Sequence, residues 1–176
     1  MQRNGIRTLV YCALFAALIA VFAQLSIPID PVPISLATFA VMMCGLLLGW
    51  KYGTAAVGVY LLLGAAGAPV FAGFKSGAAV LAGPTAGYAL GYLFYAALAG
   101  LPIKKWQQSY FLRCVLCALG TLACYFMGTA WFMHQSGRGL AESLSLCVLP
   151  FLPGDAAKIL LASFLTPRLR KAMKAG

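Results

Sequence analysis

The sequence predicts an all-α membrane protein, a bundle of six transmembrane helices that forms a single domain over residues 1–176. Hydrophobic residues make up 62% of the chain and charged residues only 9%, whereas a soluble domain is about a quarter charged. The charged residues separate uncharged stretches of about 20 residues, the length of a helix that crosses a bilayer. Basic residues cluster at the ends of these stretches, a pattern typical of membrane proteins.

The six helices are expected at approximately 8–27, 33–49, 53–68, 84–101, 111–134 and 147–167. The first follows Arg7, and its uncharged run is longer than the core of a signal peptide. The second begins at Pro33, because proline suits the first helical turn, and it ends at Gly49. The third follows directly after Lys51.

Proline, glycine and charged residues also delimit the last three helices. The fourth begins at Gly83-Pro84, the fifth occupies the uncharged stretch 114–135, and the sixth breaks at Pro153-Gly154 and ends at Pro167.

The second, fourth and sixth helices are short for a hydrocarbon core of about 30 Å; the second spans about 25 Å at 1.5 Å per residue. Their N-termini therefore lie below the outer surface, with irregular backbone above them. Such backbone is tolerated at that depth when it is buried in protein or lines a cavity. We expect an outward-facing pocket roofed by the loops 26–33, 68–83 and 137–153. The alternative is that proline and glycine merely end helices at the surface.

The distribution of basic residues orients the bundle. With a cytoplasmic N-terminus and six spans, ten of the 13 basic residues lie on the inner side: Arg3, Arg7, Lys51, Lys104, Lys105, Arg113, Arg168, Arg170, Lys171 and Lys174. Only Lys75 and Arg138 lie outside. This bias predicts cytoplasmic termini and a multi-pass membrane protein. Contacts with the anionic lipid bilayer account for the net charge of +10, so no nucleic acid is expected as a partner.

Asp155 and Lys158 are charges within a predicted span. A charge near mid-bilayer costs about 2.5–3.5 kcal/mol and usually faces a cavity, and residues at i and i+3 share a helix face. We therefore expect both side chains to bind a polar ligand, with Asp155 at the N-cap position. The alternative is a structural cap with a lysine that snorkels to the interface.

Other residues have two interpretations each. Phe71, Phe74, Tyr88 and Tyr92 either wall an apolar ligand or belong to an interfacial aromatic belt. Overlapping small-xxx-small pairs on the first helix either dock a partner subunit or pack internally; these residues are Ala13, Ala16, Ala17 and Ala20. The six cysteines are expected to be packing residues rather than metal ligands. No G-x-x-x-x-G-K-[ST] motif occurs, so the chain does not hydrolyse nucleotide by that route.

Four segments are distinctive: 31–38 (PVPISLAT), 64–73 (GAAGAPVFAG), 79–88 (AVLAGPTAGY) and 153–158 (PGDAAK). Together they resemble the loops and helix starts of the BioY family, the biotin-binding S components of energy-coupling-factor (ECF) transporters. The resemblance covers nearly the whole chain. It implies a six-helix S component that captures biotin from the outer side with high affinity, without a cofactor or enzymatic activity. It also implies a transmembrane coupling subunit, docked on the alanine face of the first helix, and two ATPase subunits.

We expect contacts with biotin at Pro33, Thr38, Phe71, Gly73, Phe74, Gly83, Tyr88, Asp155 and Lys158. Of these, Asp155 and Lys158 match the polar ligand contacts of the family. The ureido N–H groups suit the Asp155 carboxylate, and a ligand oxygen suits Lys158 or a helix N-terminus. Two positions depart from the family. Ala37 replaces a polar residue, often glutamine, and Lys75-Ser76 stand in a loop usually richer in glycine, where Lys75 would be a lid contact for a carboxylate.

Two alternatives to a biotin-binding subunit stay open. The first alternative is an S component for a different vitamin. The second is a membrane enzyme that uses Asp155 as a base or Lys158 as a nucleophile. Such an enzyme lacks a second acid–base group in reach, because the other carboxylates, Asp30 and Glu142, are expected in outer loops.

Overall fold

Helices form most of the chain that the structure describes. A computed structural model describes residues 2–29, 32–102 and 109–175. In these ranges the helices are α1 (Gln2–Gln24), α2 (Ala37–Ala65), α3 (Ala78–Ala82), α4 (Ala86–Ala99), α5 (Tyr110–Ser136), α6 (Leu140–Cys147) and α7 (Leu152–Ala175). The predicted all-α class is confirmed. Asp30 and Pro31 of the first predicted loop, and the basic residues Lys104 and Lys105, lie outside the described residues.

Several of these helices suit a lipid environment. Four helical segments are long and apolar enough to cross a membrane: Gly5–Gln24, Ala37–Ala65, Tyr110–Ser136 and Leu140–Met173. A fifth, α4, is apolar but shorter. Large apolar side chains lie on the outside, such as Phe111 and Phe126, which are 71% and 75% exposed. The chain is therefore a multi-pass membrane protein.

The long helix α2 is interrupted at Gly49, whose backbone is not helical (φ 80°, ψ 173°). Glycine adopts this conformation without a steric penalty. The chain reverses here, because Gly53 lies against the backbone of Cys44 and Gly45, whereas residues eight apart on one straight helix are about 12 Å apart. The two segments of α2, 37–48 and 50–65, therefore pack side by side and correspond to the predicted second and third helices.

The start of α2 differs from the prediction. The helix begins at Ala37 rather than at Pro33, because the preceding residues are extended. They form β2 (Ile34–Ser35), which pairs antiparallel with β1 (Ser26–Ile27). This short ribbon takes the place of the first helical turn and lies at one end of the bundle.

The last helix departs from its predicted bounds, 147–167, at both ends. A 3-10 turn (Leu149–Phe151) precedes α7, which begins at Leu152. Asp155 therefore lies in the first helical turn and not at the N-cap position. At its other end α7 continues through Pro167 to Ala175.

Proline inside α7 is tolerated because another helix supplies the missing donor. Pro167 has no N–H for the carbonyl of Ser163, four residues earlier. The Nε atom of Arg113 on α5 donates to that carbonyl at 3.0 Å.

Helices α4 and α5 pack through tyrosine rings laid against glycines. The Tyr88 ring contacts Gly128, and the Tyr95 ring contacts Gly120; a Cβ atom at these glycines would lie 2.2 Å and 2.4 Å from ring atoms. The Tyr95 hydroxyl also hydrogen-bonds Thr121 on α5 at 2.7 Å. This close packing fixes α4, whose first turns border the candidate site.

The four alanines of α1 do not share one exposed face. Ala13 and Ala17 are exposed and Ala20 is half-buried, but Ala16 is only 3% exposed and belongs to the core. Ala16 therefore packs internally, which corrects its assignment as a docking residue. Of the four alanines, Ala13 and Ala17 are the two that form an exposed small-residue surface on this helix.

Candidate functional site

A cavity of about 680 Å³ opens where the β1–β2 ribbon, the turn 71–75 and the start of α4 meet. This volume is typical of a small-molecule site. Five of the predicted contact residues line it: Pro33, Phe71, Gly73, Gly83 and Tyr88. The loops 26–33 and 68–83 both contribute to the wall, whereas the loop 137–153 contributes none of the described lining residues.

Aromatic rings form part of the cavity wall. Phe71 is buried and packs edge-on against Tyr60, with ring centroids 5.7 Å apart. Tyr88 and Tyr92 lie one turn apart on α4, and both line the cavity. The Tyr88 hydroxyl donates to the carbonyl of Cys147 at 3.3 Å, so its polar end is already satisfied by protein. The wall therefore suits an apolar ring or chain.

Asp155 and Lys158 form a buried ion pair near this cavity. Lys158 Nζ lies 2.9 Å from Asp155 Oδ1, and the two residues are only 8% and 3% exposed. Lys158 also donates to the carbonyl of Ser35 at 2.8 Å and to Oγ1 of Thr38 at 3.0 Å. Tyr125 on α5 donates to Asp155 Oδ2 at 2.6 Å. Three helices and the ribbon thus meet at one polar cluster, which comprises these five residues.

The two charged groups differ in how many hydrogen-bonding sites they have left for a ligand. An ammonium has three N–H donors, and Lys158 has three acceptors within 3.0 Å. An ionised carboxylate has about four acceptor sites. Asp155 Oδ1 accepts from Lys158 and from Thr38 at 3.4 Å, whereas Oδ2 accepts from Tyr125. Among the described residues, Asp155 Oδ2 accepts from Tyr125 alone, so one of its acceptor sites is unused.

The polar cluster reaches the cavity through Ser35. This residue lines the cavity, and its carbonyl accepts the hydrogen bond from Lys158. Asp155, Lys158 and Thr38 are not among the lining residues. The carboxylate and the ammonium were predicted to lie directly beside a cavity, whereas the structure places them one layer behind the cavity wall.

Neighbouring residues of the turn 71–75 differ in whether they line the cavity. Gly73 and Lys75 line the cavity, but Phe74 does not and is 71% exposed. The φ angle of Phe74 is 57°, a left-handed conformation that turns its side chain outwards. Lys75 is the one charged residue among the described lining residues, so the cavity wall carries a cation at this turn.

Sequence reasoning did not single out Tyr125 or Ser35 as partners of the charged pair. Tyr125 lies 30 residues from Asp155 in the sequence and is surrounded by apolar residues. Its hydroxyl inside an apolar span was the available signal, and Tyr95 offers the same signal without touching the cluster.

Comparisons with known proteins agree on one family. The model of the BioY family matches residues 1–175. The biotin transporter BioY of Thermotoga maritima is 39% identical over 166 residues, which cover 94% of this chain and 96% of that protein. The biotin transporter BioY of Lactococcus lactis subsp. cremoris is 40% identical over 178 residues, which cover 97% of this chain and 94% of that one.

A solved structure shares the fold. The S-component for biotin from an ECF-type ABC transporter matches with a TM-score of 0.90 and 38% identity, over 97% of this chain and 94% of that chain. The likeness therefore extends along almost the full length of both proteins. This chain belongs to the BioY family.

Proposed function

We propose that this chain is the high-affinity biotin-binding subunit of an ECF vitamin uptake transporter and that it captures biotin from the outer side of the membrane. The observation that carries the proposal is the buried Asp155–Lys158 pair behind a cavity of about 680 Å³ with aromatic walls. The similar proteins are named biotin transporters, and the similar structure is an S-component for biotin. The chain is accordingly a transport subunit and not an enzyme.

The ureido ring of biotin would lie at the wall formed by Ser35. One ureido N–H would donate to the acceptor site that remains on Asp155 Oδ2. The ureido oxygen would accept from Lys158 only if Lys158 gives up Ser35 or Thr38, since its three donors are engaged. Binding therefore requires a small rearrangement of the polar cluster towards the cavity.

The rest of biotin would occupy the apolar part of the cavity. Its thioether ring and alkyl chain suit Phe71 and Tyr88, and the backbone near Pro33, Gly73 and Gly83 completes this wall. Phe74 would reach the ligand only if the turn 71–75 folds inwards.

Lys75 is the candidate contact for the carboxylate of biotin. It is exposed, lines the cavity and carries the charge that a carboxylate needs. Ala37, by contrast, offers no polar side chain where the family often has glutamine. The carboxylate end would therefore depend on the turn 71–75 rather than on α2.

We also propose six membrane crossings, with both termini in the bacterial cytoplasm and the cavity on the outer side of the cytoplasmic membrane. The break at Gly49 turns α2 into two crossings. The basic residues support this orientation. Arg113 is buried in α5, and without it nine basic residues still lie inside against two outside.

Energy for uptake would come from partner subunits. The chain carries no G-x-x-x-x-G-K-[ST] motif, so we propose a transmembrane coupling subunit and two ATPase subunits as its partners. The exposed Ala13 and Ala17 allow another helix to approach α1 closely.

Equilibrium binding of radiolabelled biotin to the detergent-purified chain tests the function. We expect a Kd far below about 1 µM and no competition by riboflavin or thiamine. Binding of one of those vitamins in place of biotin would indicate an S component of another specificity, and chemical conversion of the bound compound would indicate an enzyme.

A further inference from the structure

The side chain of Gln24, the last residue of α1, joins this helix to the turn 71–75. Its Nε2 donates to the carbonyl of Phe71 at 3.1 Å, and its Oε1 accepts from the N–H of Phe74 at 2.9 Å. Nε2 also donates to the carbonyl of Ala20 in its own helix at 3.3 Å. One amide group thus uses both of its ends to bridge two segments that are distant in sequence.

The turn needs such support because its backbone is unfavourable on its own. Gly73 and Phe74 both have positive φ angles, 71° and 57°. For phenylalanine this conformation persists only when the surroundings hold it in place. The side chain of Phe74 is 71% exposed, so packing does not hold it. Two hydrogen bonds hold the turn instead: the N–H of Phe74 donates to Gln24 Oε1, and the N–H of Phe71 donates to the carbonyl of Lys75 at 3.1 Å.

The ends of the segment have anchors in addition to Gln24. Phe71 is buried against Gly64 and Tyr60, and the N–H of Gly77 donates to the carbonyl of Gly64 at 2.8 Å. Between these anchors, Gln24 is the only side chain within the described ranges that hydrogen-bonds the main chain of 72–76. The backbone bond from Phe71 to Lys75 closes the turn on itself, and Gln24 is the side chain that ties its middle to α1.

The segment between the anchors is a wall of the cavity, since Ala72, Gly73 and Lys75 line it. Gln24 itself is not among the lining residues, so any effect on a ligand passes through the turn. We infer that Gln24 is a positioning residue that latches the turn 71–75 against the cavity, and that release of this latch opens the route by which the ligand enters and leaves. The inference rests on the proposed function in that the ligand is taken to be biotin.

Two variants and one control separate the latch from general stability. Gln24→Leu removes both contacts to the turn at similar size. Gln24→Glu keeps the acceptor for the Phe74 N–H but loses the donor to Phe71. Gln135→Leu is the matched control, because the Gln135 amide donates to the carbonyl of Ala82, outside the latched turn.

The first experiment needs no ligand. Lys75 and Arg138 are both exposed, and trypsin cuts such sites when the local segment opens. The measurement is the rate of cleavage after Lys75 relative to cleavage after Arg138 in detergent-purified protein. We expect this ratio to rise about tenfold in Gln24→Leu, the scale of one lost net hydrogen bond, to rise less in Gln24→Glu, and to stay unchanged in Gln135→Leu.

The second experiment measures the kinetics of radiolabelled biotin. We expect Gln24→Leu to raise both the association and the dissociation rate by about tenfold, because an opened wall speeds passage in both directions. The Kd should therefore change less than either rate, whereas a damaged binding site would raise the Kd through dissociation alone.

The outcomes are distinct. A cleavage ratio that stays at the wild-type value in both Gln24 variants overturns the latch. A raised ratio with unchanged biotin rates overturns its role in ligand passage. Absence of biotin binding to the wild-type chain removes the proposed function, while the cleavage ratio still decides whether Gln24 holds the turn. If Gln24→Leu does not fold, Gln24→Glu decides both questions.

Discussion

Arg113 Nε lies 3.0 Å from the carbonyl oxygen of Ser163, and this is the carbonyl that Pro167 deprives of its helical partner. Arg113 is only 5% exposed, so the contact is sheltered from water. An unpaired carbonyl inside a membrane protein is costly, and the arginine relieves that cost while it ties α5 to α7. Lys158 makes a similar contact to the carbonyl of Ser35. Two long basic side chains thus tie α7 to its neighbours, Arg113 to α5 and Lys158 to β2.

Arg113→Met should destabilise the fold. The loss of a charged hydrogen bond and an orphaned carbonyl together cost about 2 kcal/mol, which lowers Tm by about 4–8 °C for a chain of this size. Thermal unfolding of the detergent-purified variant measures the shift.

Pro167→Ala is the partner variant for this test. Alanine restores the N–H that reaches the Ser163 carbonyl, so Arg113→Met should cost clearly less in the Pro167→Ala background than in the wild type. An equal loss of Tm in the two backgrounds would show that the arginine does not compensate for the proline.

Asp155→Asn should weaken biotin binding tenfold or more, because a neutral amide is a poorer acceptor for a ureido N–H and its NH₂ group repels such a donor. It should also lower Tm, since Lys158 is left as a buried charge without its partner. Biotin titration and thermal unfolding measure the two effects.

The double variant Asp155→Asn with Lys158→Met separates the loss of affinity from the loss of stability. It should recover part of the stability, because no unpaired charge remains in the polar cluster, but none of the affinity. Glu142→Gln is the control, since its ion pair with Arg138 is exposed and should contribute nothing to binding. Wild-type affinity in Asp155→Asn would reduce the pair to a structural role.

Lys75→Gln should lower the affinity for biotin about tenfold, because the cavity wall loses its cation. The same variant should bind biotin methyl ester as well as the wild type does, since the ester has no charge to pair with Lys75. Lys51→Gln serves as the control, because Lys51 lies beside the Gly49 break, away from the cavity wall. Equal losses for biotin and its ester would exclude a carboxylate contact at Lys75.

Ala17→Leu should leave biotin binding intact and reduce biotin uptake in cells that contain the partner subunits. A leucine on this exposed face prevents close approach of another helix. Ala130→Leu is the matched control, because Ala130 is exposed on α5. Ala16 is unsuitable for this experiment, since its side chain is buried and a leucine there would disturb the core. Unimpaired uptake in Ala17→Leu would refute docking through this face.

Properties that depend on composition and on local spacing were readable from the sequence. A chain with 9% charged residues cannot cover itself with polar surface, so the membrane class follows from composition. Asp155 and Lys158 stood out because charges are rare in spans and because their spacing places them on one helix face. The helix break at Gly49 was likewise marked by its glycine.

The partners of those residues were decided only by the tertiary structure. Ser35 lies 123 residues from Lys158 in the sequence, and Tyr125 lies 30 residues from Asp155; contacts at such separations leave no local pattern. The same holds for Ala16 and Ala17, which are adjacent in sequence but differ in burial, and for Pro167, which α7 accommodates through Arg113. Local chemistry determines which groups need a partner in an apolar medium, and the packing of distant helices determines which group provides it.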